Sequence, residues 1–142
     1  MAVIALLSGT AGASNLPDHD LTPGAVILGV TAEQVCRPGW AASRRHVTKA
    51  TKRLVFRRYQ IAYEPKKYEV DHLISLQLGG SNDIKNLWPE PYEPKPGALE
   101  KDRIEGELHR RVCRHDITLE EAQKTISADW VSFYQQWATE NQ

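Results

Sequence analysis

Four prolines fall between Pro89 and Pro96. No helix crosses such a stretch, because each proline lacks a backbone N–H and fixes its own φ. The chain is therefore cut in two there, and each side must build its own elements. After the break, Ala98 to Cys113 contains no proline and repeats Ile104, Leu108 and Val112 at helical spacing. A last helix opens at Thr118, where Glu121 completes a capping box. Its apolar face, Ala122, Ile126, Trp130, Phe133 and Trp137, is explained by core packing. Before the break, Tyr68 to Ile74 alternates and is rich in β-formers, which predicts a strand. Gly79 to Asp83 reads as a loop and Asn86-Leu87-Trp88 as a second short strand. The segment from Ser14 to Pro38 is punctuated by Pro and Gly and mostly irregular, with a helical turn at Thr31 to Val35. These elements predict an α+β chain, mainly helical, with one hairpin.

The 142 residues fit one domain, expected over 14–142. The first thirteen differ in kind. Ala2 to Leu7 is a short apolar stretch, and small residues follow, ending in Ala11-Gly12-Ala13. This reads as a signal peptide, truncated because the basic start is missing, with cleavage before Ser14 and export to a periplasmic or secreted location. No apolar run approaches the length of a membrane span. Cys36 and Cys113 are an even pair, which an oxidising compartment favours joining, the alternative being two buried thiols. A bridge over that separation would stabilise the fold by about 4.5 kcal/mol in the chain-entropy description.

The formal net charge is zero, yet Arg37 to Lys67 holds ten Lys or Arg residues and one acid, Glu64. Within it Val47, Ala50, Leu54 and Ile61 sit at helix-like spacings, which predicts an amphipathic basic helix over about Val47 to Tyr59. Arg44, Arg45, Lys49, Lys52, Arg53 and Arg57 are its candidate nucleic-acid contacts, since neutralising phosphates releases condensed counterions. A solvated helix face carries the same pattern.

The chemistry is concentrated from Glu69 to Trp88. A strand ends in adjacent Asp71 and His72, Gly79-Gly80 turns the chain, and Asn86 returns on the second strand. Neighbouring strand residues point to opposite faces, so a cooperating Asp-His pair is best placed where the strand breaks into a loop. Phosphodiester hydrolysis needs a deprotonated water, charge stabilisation on phosphoryl oxygens and help for the leaving oxygen. Histidine, with an unperturbed pKa of about 6.5, offers its neutral base form at physiological pH. A divalent cation held by a carboxylate supplies charge stabilisation, and an Asn oxygen can fix the imidazole's tautomer.

The run from Glu69 through Leu87 resembles the core of the HNH endonucleases, whose ββα-metal unit carries an Asp-His pair, a Gly-Gly loop and a returning Asn-Leu. Leu21-Thr22-Pro23-Gly24, Asn86-Leu87-Trp88-Pro89, Lys101-Asp102, Leu108-His109 and Asp129-Trp130 extend the likeness to a group of small exported bacterial HNH-like proteins. The resemblance implies a hairpin-plus-helix core flanked by further helices. It also implies His72 as general base, Asp71 as metal ligand and Asn86 as the residue orienting His72. The implied activity is a metal-dependent endonuclease on nucleic acid, DNA before RNA, with little sequence specificity. The implied cofactor is Mg²⁺, with Mn²⁺, Ni²⁺ or Zn²⁺ as alternatives, and an inhibitor protein is a conceivable partner.

One position departs from the family pattern. Where a His or Asn normally completes the metal site, the first helical turn offers Ala98, Leu99, Glu100 and Lys101. Asp102 is the first choice of second ligand, being nearest the helix start and a hard oxygen donor, and Glu105 is the other. His109 lies about 10 Å further along the axis, suited to pairing with an acid or contacting phosphate. Solvated ion pairs with Lys101 and Arg110 would explain these three residues equally. Two further readings stand beside the nuclease: an HNH-like nucleic-acid-binding module without catalysis, and a disulfide-braced exported structural protein.

Overall fold

The computed structural model describes residues 15–142, and the expected signal peptide over residues 1–13 lies outside them. Five helices and one two-stranded antiparallel sheet form an α+β fold among the described residues. Two short helices, α1 (Ala32–Val35) and α2 (Trp40–Arg44), precede α3 (Lys49–Arg58). Strands β1 (Tyr68–His72) and β2 (Leu87–Pro91) form the hairpin, followed by α4 (Ala98–Cys113) and α5 (Leu119–Glu140). α1 is capped by Thr31 and α5 by Thr118, each through a complete capping box.

Some elements differ from their sequence expectation. α2 has five residues, too few to reveal a period, and starts from Gly39 in the left-handed region at φ 80°. α3 turns Val55 and Phe56 inward and leaves Ala50 and Leu54 exposed. The Phe56 ring carries more apolar area than those smaller side chains, so the helix rotates to bury it. β1 stops at His72 rather than Ile74, because the Asn86 side chain takes over both backbone groups of Ile74. α5 breaks at Asp129, whose carboxylate accepts from the Ser132 backbone and hydroxyl, restarting the helix in a new direction.

The main core lies between α4, α5 and the 3-10 turn Leu76–Leu78. Ile104, Leu108 and Val112 of α4 meet Ala122, Ile126 and Trp130 of α5, with Ile74, Leu78, Val35 and Trp40 closing the sides. A disulfide joins Cys36, just after α1, to Cys113 at the end of α4. The Gly79-Gly80 turn presses against this core. Gly79 has φ 78°, and a Cβ on Gly80 would lie 1.7 Å from the Ile74 carbonyl oxygen, so no larger residue fits there without moving the backbone.

Candidate active site

The strand register places Glu69 opposite Glu90 and Asp71 opposite Trp88. Cross-strand partners share a face, so Glu69, Asp71 and Glu90 form a carboxylate face on one side of the hairpin. Oxygens of these three lie within 4.8 Å of one another. His72, the last residue of β1, belongs to the opposite face. The two side chains singled out in the sequence are thus neighbours in the chain that project to different sides.

α4 closes over the carboxylate face. Its start is fixed by Glu100, which accepts the Gly97 backbone N–H at 2.9 Å and pairs with Lys95. The next residue, Lys101, is completely buried. Its ammonium donates to Asp71 Oδ2 at 2.7 Å, to Glu105 Oε1 at 2.6 Å and to the His72 carbonyl at 2.9 Å. The space between Asp71 and Glu105, expected to take a metal ion, is therefore spanned by a lysine. Asp102 is exposed on the adjoining wall, and its carboxylate makes no hydrogen bond with a described residue. Lys101 was legible in principle: it continues the Ile104, Leu108 and Val112 stripe one turn back, so it must face inward. Glu90 was not legible, because the second strand reads only as far as Trp88 and every residue of β2 is buried.

Electrostatics divide these groups. Burial favours the neutral acid at Asp71, but the Lys101 ammonium outweighs it and holds the pKa below the ordinary value. Burial raises Glu90 well above the carboxylate range and Glu105 to about 7. Glu69 and Asp102 are raised by burial and by the nearby Asp71 charge. Burial opposes the charge on Lys101, yet the carboxylates of Asp71, Glu105 and Glu90 more than compensate and keep it protonated. The cluster is built on an ion pair, Lys101 with Asp71, beside the Glu90 and Glu105 carboxyls, which burial pushes toward the protonated form.

His72 is buried, and burial holds its pKa below the usual value, leaving the ring neutral at physiological pH. Its Nε2 faces Asn82 Oδ1 at 2.9 Å. The Asn82 amide is itself oriented, because its Nδ2 donates to the Arg44 carbonyl at 2.8 Å. An amide oxygen only accepts, so Nε2 carries the proton and Nδ1 keeps its lone pair. Nδ1 has no hydrogen-bond partner among the described residues.

The orienting role expected of Asn86 thus belongs to Asn82. Asn86 is fully buried and bonds only to backbone, accepting from Ile74 and Ala25 and donating to Ile74 and Ser81. It clamps the loop instead of touching the imidazole. Nothing in the spacing distinguished the two asparagines.

Compared with known proteins, the chain matches no family model, no curated protein and no solved structure. The geometry stands by itself.

A cleft of about 520 Å³ runs along the carboxylate face between the hairpin, α3 and α4. Glu69, Asp71, Asp102 and Glu105 line it on the acidic side, Arg45 and Lys52 on the basic side. Lys49, Lys52, Arg53 and Arg57 are exposed along α3. Arg44 does not belong to that helix: it ends α2, lies over the Trp40 ring at 3.2 Å and donates to Ser43. Arg58 turns inward to the Leu21 and Ile84 carbonyls. His109 meets neither acid nor phosphate site; its Nε2 lies 3.0 Å from the Val35 carbonyl and 3.5 Å from Cys113 Sγ.

Of the residues able to hold a cation, the Glu69, Asp71 and Glu90 group fits best. All its donors are hard oxygens, and Glu90 contributes a buried carboxyl oxygen with no hydrogen-bond partner among the described residues. The expected pairing of Asp71 with Asp102, or with Glu105 as the other choice, fits less well, since Lys101 already bridges Asp71 and Glu105. The cysteines and His109 form the other group, and its sulfurs are joined in the disulfide.

Proposed function

We propose that this chain hydrolyses phosphodiester bonds in nucleic acid, with His72 as the general base, in an exported, disulfide-braced HNH-like domain. The observation that supports this most is the state of His72: a neutral imidazole whose tautomer is set by Asn82, so that Nδ1 is free to take a proton from water. The hairpin followed directly by α4 agrees with the ββα unit that the sequence resembles. The cleft, which His72 does not line, carries carboxylates on one wall and Arg45 and Lys52 on the other, a combination suited to a phosphate backbone approaching a cation. Such a backbone would have to extend past the end of β1 to meet His72. Asp71, with Glu69 and Glu90, would hold a divalent cation such as Mg²⁺, which when bound stabilises negative charge on phosphoryl oxygens. Lys101 fixes the Asp71 carboxylate in its ionised form and ties it to the His72 backbone. DNA is the proposed substrate, read through its backbone rather than its bases.

The test is nicking of supercoiled plasmid by the mature protein with Mg²⁺ or Mn²⁺, abolished by chelator. His72→Ala should cut at least about a hundredfold more slowly at equal purity and unchanged circular dichroism. Cleavage at the wild-type rate would end the assignment.

A second reading is supported by Lys101, which bridges Asp71 and Glu105 where a metal ion was expected. The chain would then bind nucleic acid without cutting it. Binding that weakens steeply with salt, with cleavage at background in every divalent cation, would favour that reading.

A further inference from the structure

Beside the acidic cleft lies a second concavity of about 500 Å³, lined by Ala50, Arg53, Phe56, Arg57, Ile61 and Tyr63. Phe56 and Tyr63 line both, so the Tyr63 ring stands on the ridge between them. Tyr63 is 52% exposed, yet it is held in place. Its ring meets buried Phe56 edge-on at 5.0 Å between centroids, and Phe56 meets Tyr68 edge-on at 6.0 Å. An aromatic ring left half in water forgoes burial that a rotation toward the core would give. Here the ring is supported from beneath, and cations lie on both sides: Arg45 and Lys52 toward the acidic cleft, Arg53 and Arg57 toward the second.

Planar rings interleaved with cations match a polyanion whose bases are accessible. Without a bound cation the acids of the first cleft repel phosphates, so the backbone should lie against α3, where the charge is positive. In a duplex the bases are stacked on one another and cannot meet a protruding side chain without being extruded. In a single strand every base offers a free face, and stacking on an aromatic ring is sequence-tolerant.

We propose that this ridge is a stacking platform for single-stranded nucleic acid, with Tyr63 packing against an unpaired base while Arg53, Arg57 and Lys52 hold the flanking phosphates. The inference deepens the nucleic-acid reading and rests on it for the polyanionic partner. It does not require cleavage, because stacking on Tyr63 and pairing with the cations of α3 use none of the carboxylates that line the first cleft.

The experiment is fluorescence anisotropy of labelled oligothymidylate, alone and annealed to oligoadenylate, titrated with the full mature chain in chelator at physiological salt. The single strand should bind about tenfold or more tightly than the duplex, the scale of one stacked base. Tyr63→Leu, which keeps apolar contact with Phe56, should lose about tenfold for the single strand, and Tyr63→Phe should retain wild-type affinity. Equal affinity for both forms, or a Tyr63→Leu protein that binds the single strand like wild type, overturns the platform. Plasmid cleavage with His72 dependence but without these effects would sink the platform and leave the nuclease standing. Tyr63-dependent binding without cleavage in any divalent cation would do the reverse.

Discussion

At the scale of single residues, the two asparagines of the loop separate binding geometry from stability. Asn82 bonds the imidazole and the Arg44 carbonyl from a partly exposed position, whereas Asn86 meets four backbone groups in full burial. Asn82→Ala should therefore lower kcat by about tenfold or more, since the tautomer that frees Nδ1 is no longer favoured, while the melting temperature changes little. Asn86→Ala should cost about 3 kcal/mol or more, because it strands several buried donors and acceptors at once. Kinetics and thermal unfolding of both variants check the contrast, and a reversed pattern would return the orienting role to Asn86. The sequence made the loop and its chemistry legible but not the choice between its asparagines. Which of two nearby amides reaches the ring depends on how the 3-10 turns at Leu76–Leu78 and Ile84–Asn86 fold the chain back, and no spacing rule encodes that.

At the scale of elements, Lys101 is the joint between hairpin and helix. α4 is readable to its end residues, and its apolar stripe is readable too, yet Lys101 enters the sequence reading only within solvated ion pairs, the alternative to metal binding, and a lysine is rarely buried. Its burial is sustained by the carboxylates that the register of β1 and β2 collects beneath it. Lys101→Met should cost about 3–5 kcal/mol, the scale of breaking a buried ion pair from one side, and denaturant titration measures it. Adding Glu105→Gln should recover part of the loss by removing one of the unpaired acids. The same cluster gives stability a pH dependence whose sign follows from Glu105. Its folded pKa is about 7, against an ordinary value of 4.5. Between those values the native chain keeps a proton that the unfolded chain has released, so stability in chelator should fall as pH rises through that window. The full fall from this residue is about 3 kcal/mol, and Glu90, shifted in the same direction, adds a fall of the same sign. Glu105→Gln should flatten the slope between those limits. A slope unchanged by that substitution would mean that the carboxyl is ionised throughout.

At the scale of the whole molecule, the disulfide decides how the two halves of the chain stay together. The proline-dense stretch separates a first half, short in regular structure, from the helical pair α4 and α5 that forms most of the core. Cys36 and Cys113, 77 positions apart, tie α1 and its neighbours to the end of α4. The even cysteine count made this bridge readable, whereas its neighbourhood, with His109 against the Val35 carbonyl, was not. The segment around α1 and α2 contributes Val35 and Trp40 to the core, and the Arg44 carbonyl to the Asn82 amide that orients His72. Closing a loop of this length should contribute about 4–5 kcal/mol in the chain-entropy description. A Cys36→Ser, Cys113→Ser protein should therefore unfold at markedly lower denaturant, with the m-value reporting any change in the compactness of its unfolded state. Because the N-terminal segment also supports Asn82, the loss should reach the site: the activity of the reduced protein should decline before global unfolding, with His72 losing its fixed tautomer. Activity that persists unchanged until the global transition would show that the Asn82 to Arg44 bond holds without the bridge.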